Sequence, residues 1–356
     1  MTRNTREGAP VSRRSVIRLG SALAVGALVL TACTDSGSGN DAGSVAGAGS
    51  KLTTVTFALD FLPNPTHNGL AYAMQKGLFA KEGINLKILP VGSTASDALI
   101  SAGQAEAGFT NNYATALTSA SAGAPLKAIF SAMPHDPSAV TVLTSSGITS
   151  PAQLAGKTYG GYGSKLELAM INAMIANAGG HGKVKQVVLQ VGSTEALKTG
   201  KVDVAATWPD QEYDFAQSGV KYTRFLAADY GIPEASGLLT LAGNSFLQKS
   251  PDLARGLVKA LSEGYQAAID DPKAANEALI AQFPNAHIDS KLATYVSSRE
   301  AKDLLNPYGP IGTQSVKHWQ TYADWMITHG VLTGADGKTL KNIDVKSLVT
   351  NSYLPK

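Results

Sequence analysis

The chain has 356 residues, 44% of them hydrophobic and 16% charged, with a formal net charge of +3. Five arginines stand against Glu7 in the first 32 residues; without that segment the +3 falls by 4 to −1, which leaves no ground for a nucleic-acid partner. The single cysteine, Cys33, excludes an internal disulfide, and the remaining length of about 300 residues suffices for two domains with their own cores.

In chain order, paired Arg13 and Arg14 precede an apolar stretch from Leu19 to Leu30, too short to span a membrane and flanked like an export signal of the twin-arginine type. "LTAC" at 30–33 resembles a bacterial lipobox. Residues 1–32 are therefore expected to be removed, leaving Cys33 as a lipidated first residue. Residues 33–52, rich in Gly, Ser and Ala, read as a flexible tether. The expected location is the outer face of the cytoplasmic membrane, held by the lipid.

Beyond the tether, strands and helices alternate. "KLTTVTFALDF" alternates as a strand and "HNGLAYAMQKGLFAKEG" has helical spacing. "NLKILPV", "AEAGFT" and "PLKAIFSAM" continue the series; "GKTYGGYG", "KQVVLQV" and "VDVAATW" begin another, with helices at 165–178 and 194–199. Helices are expected at 246–270, 272–283, 289–305 and 314–329. Such alternation implies parallel α/β sheets. "LPVGST" (89–94) and "LQVGST" (189–194) each end a strand ahead of a short helix, so the chain reads as two similar lobes. The first lobe takes 53–143 and 240–356 and the second 144–239, with hinge crossings near 141–146 and 237–243. Each VGST turn is expected to face one cleft, its hydroxyls capping the next helix.

Ligands of open α/β sheets lie beyond the carboxyl ends of the strands. Those ends carry Asp60, Phe61, Asn64 and His67 after the first strand, and Asn111 and Tyr113 after the third. The second lobe offers Tyr162 and Ser164 in a Gly-rich turn, then Trp208, Asp210, Gln211 and Glu212. Aromatic faces stack on flat rings, while amides and carboxylates accept from ring amino groups. Past the signal only Arg224, Arg255 and Arg299 remain, none at an expected strand end, which disfavours an amino-acid ligand held by a bidentate arginine. An anion could use the turn at Gly161–Ser164. No metal spacing, cofactor motif or catalytic motif is present. His67 faces either ligand or interior, His135 reads as a loop residue, and Trp319, Tyr322 and Trp325 read as packing.

"ALDFLPNPTHNGLAYAMQKGLFAKEGI" (58–84), "GKVDVAATWPDQE" and "SPDLARGLVKALSEGYQAAIDDP" resemble the thiamine-pyrimidine-precursor-binding family, the NMT1/THI5-like substrate-binding lipoproteins of ABC transporters. Phe61 stands where that family usually has tryptophan, keeping a stacking face without the N–H donor. The resemblance implies a two-lobed type II periplasmic-binding fold with a helical C-terminal tail, closing by hinge motion on an aminopyrimidine. It also implies delivery by a monomer to an ABC permease and its ATPase. Asp60 and Asn64 are the expected hydrogen-bonding partners and Phe61 the stacking wall, with Asn111, Tyr113 and His67 beside them. The second lobe would supply Tyr162, Ser164, Trp208 and an acid, Asp210 or Glu212. Receptors of the same fold for riboflavin, or for sulfonates and other anions, are the alternatives. The pyrimidine-synthase enzymes of the family need a cysteine-rich iron run and a histidine in the third-strand loop, neither of which this sequence has.

Overall fold

A computed structural model describes residues 52–189 and 192–356. The export signal, Cys33 and the tether up to residue 51 lie outside the described residues, as do Gln190 and Val191 of the second LQVGST segment. β1 (Thr53–Ala58), α1 (Asn68–Gln75), α2 (Leu78–Lys81), β2 (Ile84–Ile88), α3 (Ser96–Ser101), β3 (Ala107–Thr110), α4 (Tyr113–Ser121) and β4 (Leu126–Met133) follow the expected alternation. The helix expected at 67–83 is interrupted at Gly77, whose φ of 63° is the left-handed conformation glycine tolerates. Next come β5 (Ala139–Leu143), β6 (Thr158–Gly161), α5 (Lys165–Asn177), β7 (Lys185–Val188), α6 (Ser193–Lys198), β8 (Val204–Thr207), α7 (Pro209–Gln217), β9 (Tyr222–Phe225) and β10 (Leu238–Gly243). The tail holds α8 (Asn244–Lys249), α9 (Pro251–Asp270), α10 (Pro272–Gln282), α11 (Ser290–Glu300), α12 (Val316–Thr328) and α13 (Val345–Leu348).

These strands build two five-stranded sheets, in the orders β2-β1-β3-β10-β4 and β7-β6-β8-β5-β9. β1 pairs parallel with β2 and β3, and β6 pairs parallel with β7 and β8. In each sheet one strand runs against the rest: β10 lies antiparallel between β3 and β4, and β5 antiparallel between β8 and β9. The orders correspond position by position, so the two VGST segments follow equivalent edge strands, β2 and β7.

Two expectations are corrected here. The sheets are mixed, because the segments read as hinge crossings are themselves strands. β5, from the first half of the chain, belongs to the second sheet, and β10 returns to the first. The crossings therefore lie at 134–138 and 226–237, and 139–143 goes with the second sheet. His135 Nδ1 joins Glu234 from one crossing to the other, a role not foreseen for a loop residue.

The first sheet is covered on both faces. Val55, Phe57, Leu70, Phe109, Leu257, Leu261 and Tyr265 form one core, and Leu117, Leu239, Leu241, Trp319, Tyr322 and Met326 the other. The second sheet has its own clusters, around Val142, Leu154, Ile171 and Met174, and around Leu197, Val202 and Phe215. The tail thus completes the first lobe instead of forming a third. Among the described residues no helix is long and apolar enough to cross a membrane.

Candidate functional site

The loop after β1 is organised by its own polar groups. The Asn64 side-chain oxygen accepts from the Thr66 N–H at 3.0 Å and its hydroxyl at 2.6 Å, and Asn64 Nδ2 donates to the Leu62 carbonyl at 3.1 Å. Asn64 caps the short 3-10 turn Pro65–His67. Its amide is thereby committed to the turn, contrary to the ligand role expected for it. The backbone N–H of Asn64 donates to His67 Nδ1 at 3.3 Å, and His67 Nε2 lies 2.8 Å from Asp60 Oδ1. His67 has no solvent exposure and stacks on Phe109, with centroids 5.6 Å apart and planes 2° from parallel. His67 therefore faces the interior, and it reaches the cleft only through Asp60. The Asp60 side chain keeps 12% exposure.

Asp60 lines a pocket of about 210 Å³ with Leu59, Leu89 and the whole turn Pro90–Ala95. The first VGST turn is thus a wall of the same pocket as Asp60. Its hydroxyls do not cap α3, whose N-cap is Ala95, and in the second copy Gly192 occupies that place, with Ser193 and Thr194 inside the first turn of α6. Phe61 is exposed beside Leu62 on the loop, and Asn111 is exposed ahead of Asn112, which caps α4. Tyr113 does not line a cleft. It is 2% exposed, stacks on Trp319 at 4.0 Å and meets Tyr322 edge-on; burial pushes its phenol well above the ordinary range.

In the second lobe Tyr162 is exposed at the end of β6, its ring centroid 6.5 Å from that of Trp208 at the end of β8. Gln211 joins them: its Nε2 approaches the Tyr162 hydroxyl at 3.5 Å, and its Oε1 accepts from the Trp208 N–H at 3.4 Å. Ser164 caps α5 by accepting from the Glu167 N–H at 3.1 Å. The Glu167 carboxylate in turn accepts from the N–H groups of Tyr162 at 3.2 Å and Ser164 at 3.1 Å, and from the Tyr159 hydroxyl at 3.1 Å. A side-chain carboxylate already fills the anion position expected at Gly161–Ser164.

The two acids of α7 part company. Glu212 is fully buried and held by Arg224 at 2.5 Å and Arg299 at 3.2 Å, with hydroxyls of Thr207 and Tyr222 each at 3.2 Å. All its acceptor capacity faces protein, so Glu212 is structural and the ligand role foreseen for it does not fit. Asp210, in the first turn of α7, is half-buried, and burial raises its carboxyl pKa. Arg299 comes from α11, as does Tyr295, which meets the Tyr222 hydroxyl at 3.0 Å and the Tyr213 ring at 5.4 Å. α11 therefore links the first lobe's tail to α7 of the second, a junction no local sequence pattern announces. Among the described residues no group of three or more His, Cys, Asp and Glu side chains is arranged to hold a metal ion.

Two sheets of like order that exchange a strand, joined by two crossings, with loops at equivalent strand ends, define the two-lobed fold of the periplasmic binding proteins. The alkanesulfonate-binding protein SsuA from Xanthomonas axonopodis pv. citri, bound to MOPS, shares this fold with a TM-score of 0.63 at 14% identity, over 83% of this chain and 98% of that one. The chain belongs to the NMT1/THI5-like family, whose model matches residues 64–275. It is 26% identical over 294 residues to a formylaminopyrimidine-binding protein of Halalkalibacterium halodurans, covering 78% of this chain and 86% of that protein. The riboflavin-binding protein RibY of Chloroflexus aurantiacus is 24% identical over 347 residues, covering 92% of this chain and 95% of RibY.

Proposed function

We propose that this protein is an exported, lipid-anchored receptor of an ABC importer that captures an aminopyrimidine precursor of thiamine, in its formylated or free amine form, without chemical turnover. The observation that carries the reading is Asp60: one carboxylate oxygen is held by His67 beside a pocket of about 210 Å³, leaving the other to accept from a ring amino group. That volume is below the roughly 300–1,000 Å³ of drug-sized sites and suits a single ring. Tyr162 and Trp208 offer aromatic faces from the other lobe, with Gln211 and Asp210 beside them. Closure of the lobes would bring the two surfaces onto the ring, as a signal to the permease requires. The relative that binds formylaminopyrimidine supports the ligand class, and the twin-arginine segment and Cys33 support export and anchoring. An anion ligand fits poorly, because Glu167 already occupies the amides of the Gly-rich turn.

A flavin ligand is the second reading, favoured by the near full-length match to RibY. Calorimetric titration of the protein with an N-formyl aminopyrimidine, its free amine, riboflavin and an alkanesulfonate decides among them. The pyrimidines should bind and the sulfonate should not; binding of riboflavin alone would replace the ligand. Asp60→Ala should weaken pyrimidine binding by about 1–3 kcal/mol, the cost of leaving a buried donor unpaired. Unchanged affinity would remove Asp60 from the site.

A further inference from the structure

The residue that sets which way Asp60 faces is buried and out of reach of any ligand. The Asn64 N–H points at His67 Nδ1 at 3.3 Å, so Nδ1 is the acceptor nitrogen of a neutral ring and the proton sits on Nε2. Nε2–H then donates to Asp60 Oδ1 at 2.8 Å. The ring cannot swing to another partner: it has no exposure, lies flat against Phe109, and the turn carrying it is tied down by the Tyr265 hydroxyl, which donates to the Thr66 carbonyl at 3.0 Å.

We propose that His67 is a positioning residue for ligand recognition: through its fixed tautomer it occupies Asp60 Oδ1 and turns the remaining oxygen toward the pocket as an acceptor selective for amino-bearing rings. The inference rests on the aminopyrimidine reading above and adds the specificity element to it. The order of the chain is backbone N–H to imidazole to carboxylate to ligand. Each link has its donor and acceptor assigned by the one before it, and the last acceptor faces a ligand N–H. A ring with an acceptor at that position, or with only C–H, leaves Asp60 without its partner.

The test compares affinity for the free aminopyrimidine with affinity for the same ring bearing hydrogen in place of the ring amino group. Wild type should prefer the amino compound by about 10–100-fold, the range for a hydrogen bond to a charged group. His67→Phe keeps the stack on Phe109 and loses both nitrogens; its preference should collapse to within about threefold, as should that of Asp60→Asn, and the double variant should lose no more than either. His67→Gln restores an N–H donor and should recover a preference above that of His67→Phe. Should His67→Phe fail to fold, His67→Leu, which likewise lacks an N–H donor, and its cycle with Asp60→Asn carry the same comparison. A purely packing role would lower thermal stability in the His67 variants while leaving the preference intact, and that result overturns the proposal alone. Failure of wild type to bind either ring overturns the ligand reading, and this inference with it.

Discussion

Glu212 has four protein partners and no exposure. Replacing one member of a buried ion pair strands the others, at a cost of about 3–5 kcal/mol. Here the arginine side chains keep 22% and 38% exposure and can draw on water, so Glu212→Ala should cost near the lower end, about 3 kcal/mol. Arg299→Ala should cost less, because Arg224, Thr207 and Tyr222 still satisfy the carboxylate. Chemical denaturation of both variants checks the order. Equal losses would mean that α11 is the essential partner and Arg224 incidental. Asp210 and Glu212 stand two residues apart in the first turn of one helix with similar chemistry, yet the arginines take up only Glu212 and leave Asp210 outside the ion pair.

At the scale of elements, the motif loop is held from behind by the tail. α1 crosses α9 so closely that a Cβ on Gly264 would lie 2.2 Å from the Gly69 carbonyl oxygen, and one on Gly69 would meet the Tyr265 ring at 2.6 Å. Neither position has room for a methyl group, and the two helices must separate to admit one. Gly264→Ala should destabilise by about 1–3 kcal/mol, the usual range for overpacking. Because α1 follows directly from the His67 turn, ligand affinity should fall as well. Loss of stability with unchanged affinity would show that the Asp60 loop is insulated from the α1–α9 contact. The tie between Asn68 Nδ2 and Asn276 at 3.1 Å, continued by Ser297 at 3.0 Å, extends the same support to α10 and α11. Tyr113 belongs to this scale too. Its stack on Trp319 of α12 contributes about 0.5–1.5 kcal/mol beyond burial and fixes α4 to the tail.

For the whole molecule, protonation has a consistent direction. Burial raises the carboxyls of Asp136, Asp210 and Asp303 above 3.8 and that of Glu300 well above 4.5, and the hydrogen bond to Glu234 is the largest cause raising His135 above 6.5. Each of these groups binds its proton more tightly folded than unfolded. The folded chain therefore carries more protons across the range, and stability falls as pH rises. The carboxyl contributions are complete below the unfolded values near 4 and are lost as pH climbs through the raised folded values. The His135 contribution is present below 6.5 and lost above it. Thermal midpoints should thus decline between about pH 4 and pH 8. Glu300, 3% exposed with Oε1 lacking a partner, should account for part of that slope; Glu300→Gln should flatten it and raise the midpoint at neutral pH. A midpoint that rises with pH would show that pairing outweighs burial at these sites.

The alternation of strand and helix, the twin strand-turn segments and most of the tail were legible along the chain, although the helix expected at 246–270 breaks at Ser250, ahead of Pro251, into α8 and α9. They depend on periods of 2 and 3.6 residues and on turns closed within a few positions. The loop from Asp60 to His67 was legible as a polar segment after the first strand, but not its internal bonding: the Asn64 cap and the His67–Asp60 bond close within seven residues and spend Asn64 on the turn instead of a ligand. The placement of β5 in the second sheet was not legible, since an apolar strand of five residues fits several neighbours and only the assembled sheets select one. Nor was the fate of Glu212, whose partner Arg299 is 87 residues away, or that of Tyr113, covered by Trp319 from the tail. The sequence by itself determined which residue types stand at the strand ends. Tertiary structure alone decided which of those side chains are spent on the protein and which remain for a ligand, because hydrogen-bonding capacity is finite and distant segments can fill it first.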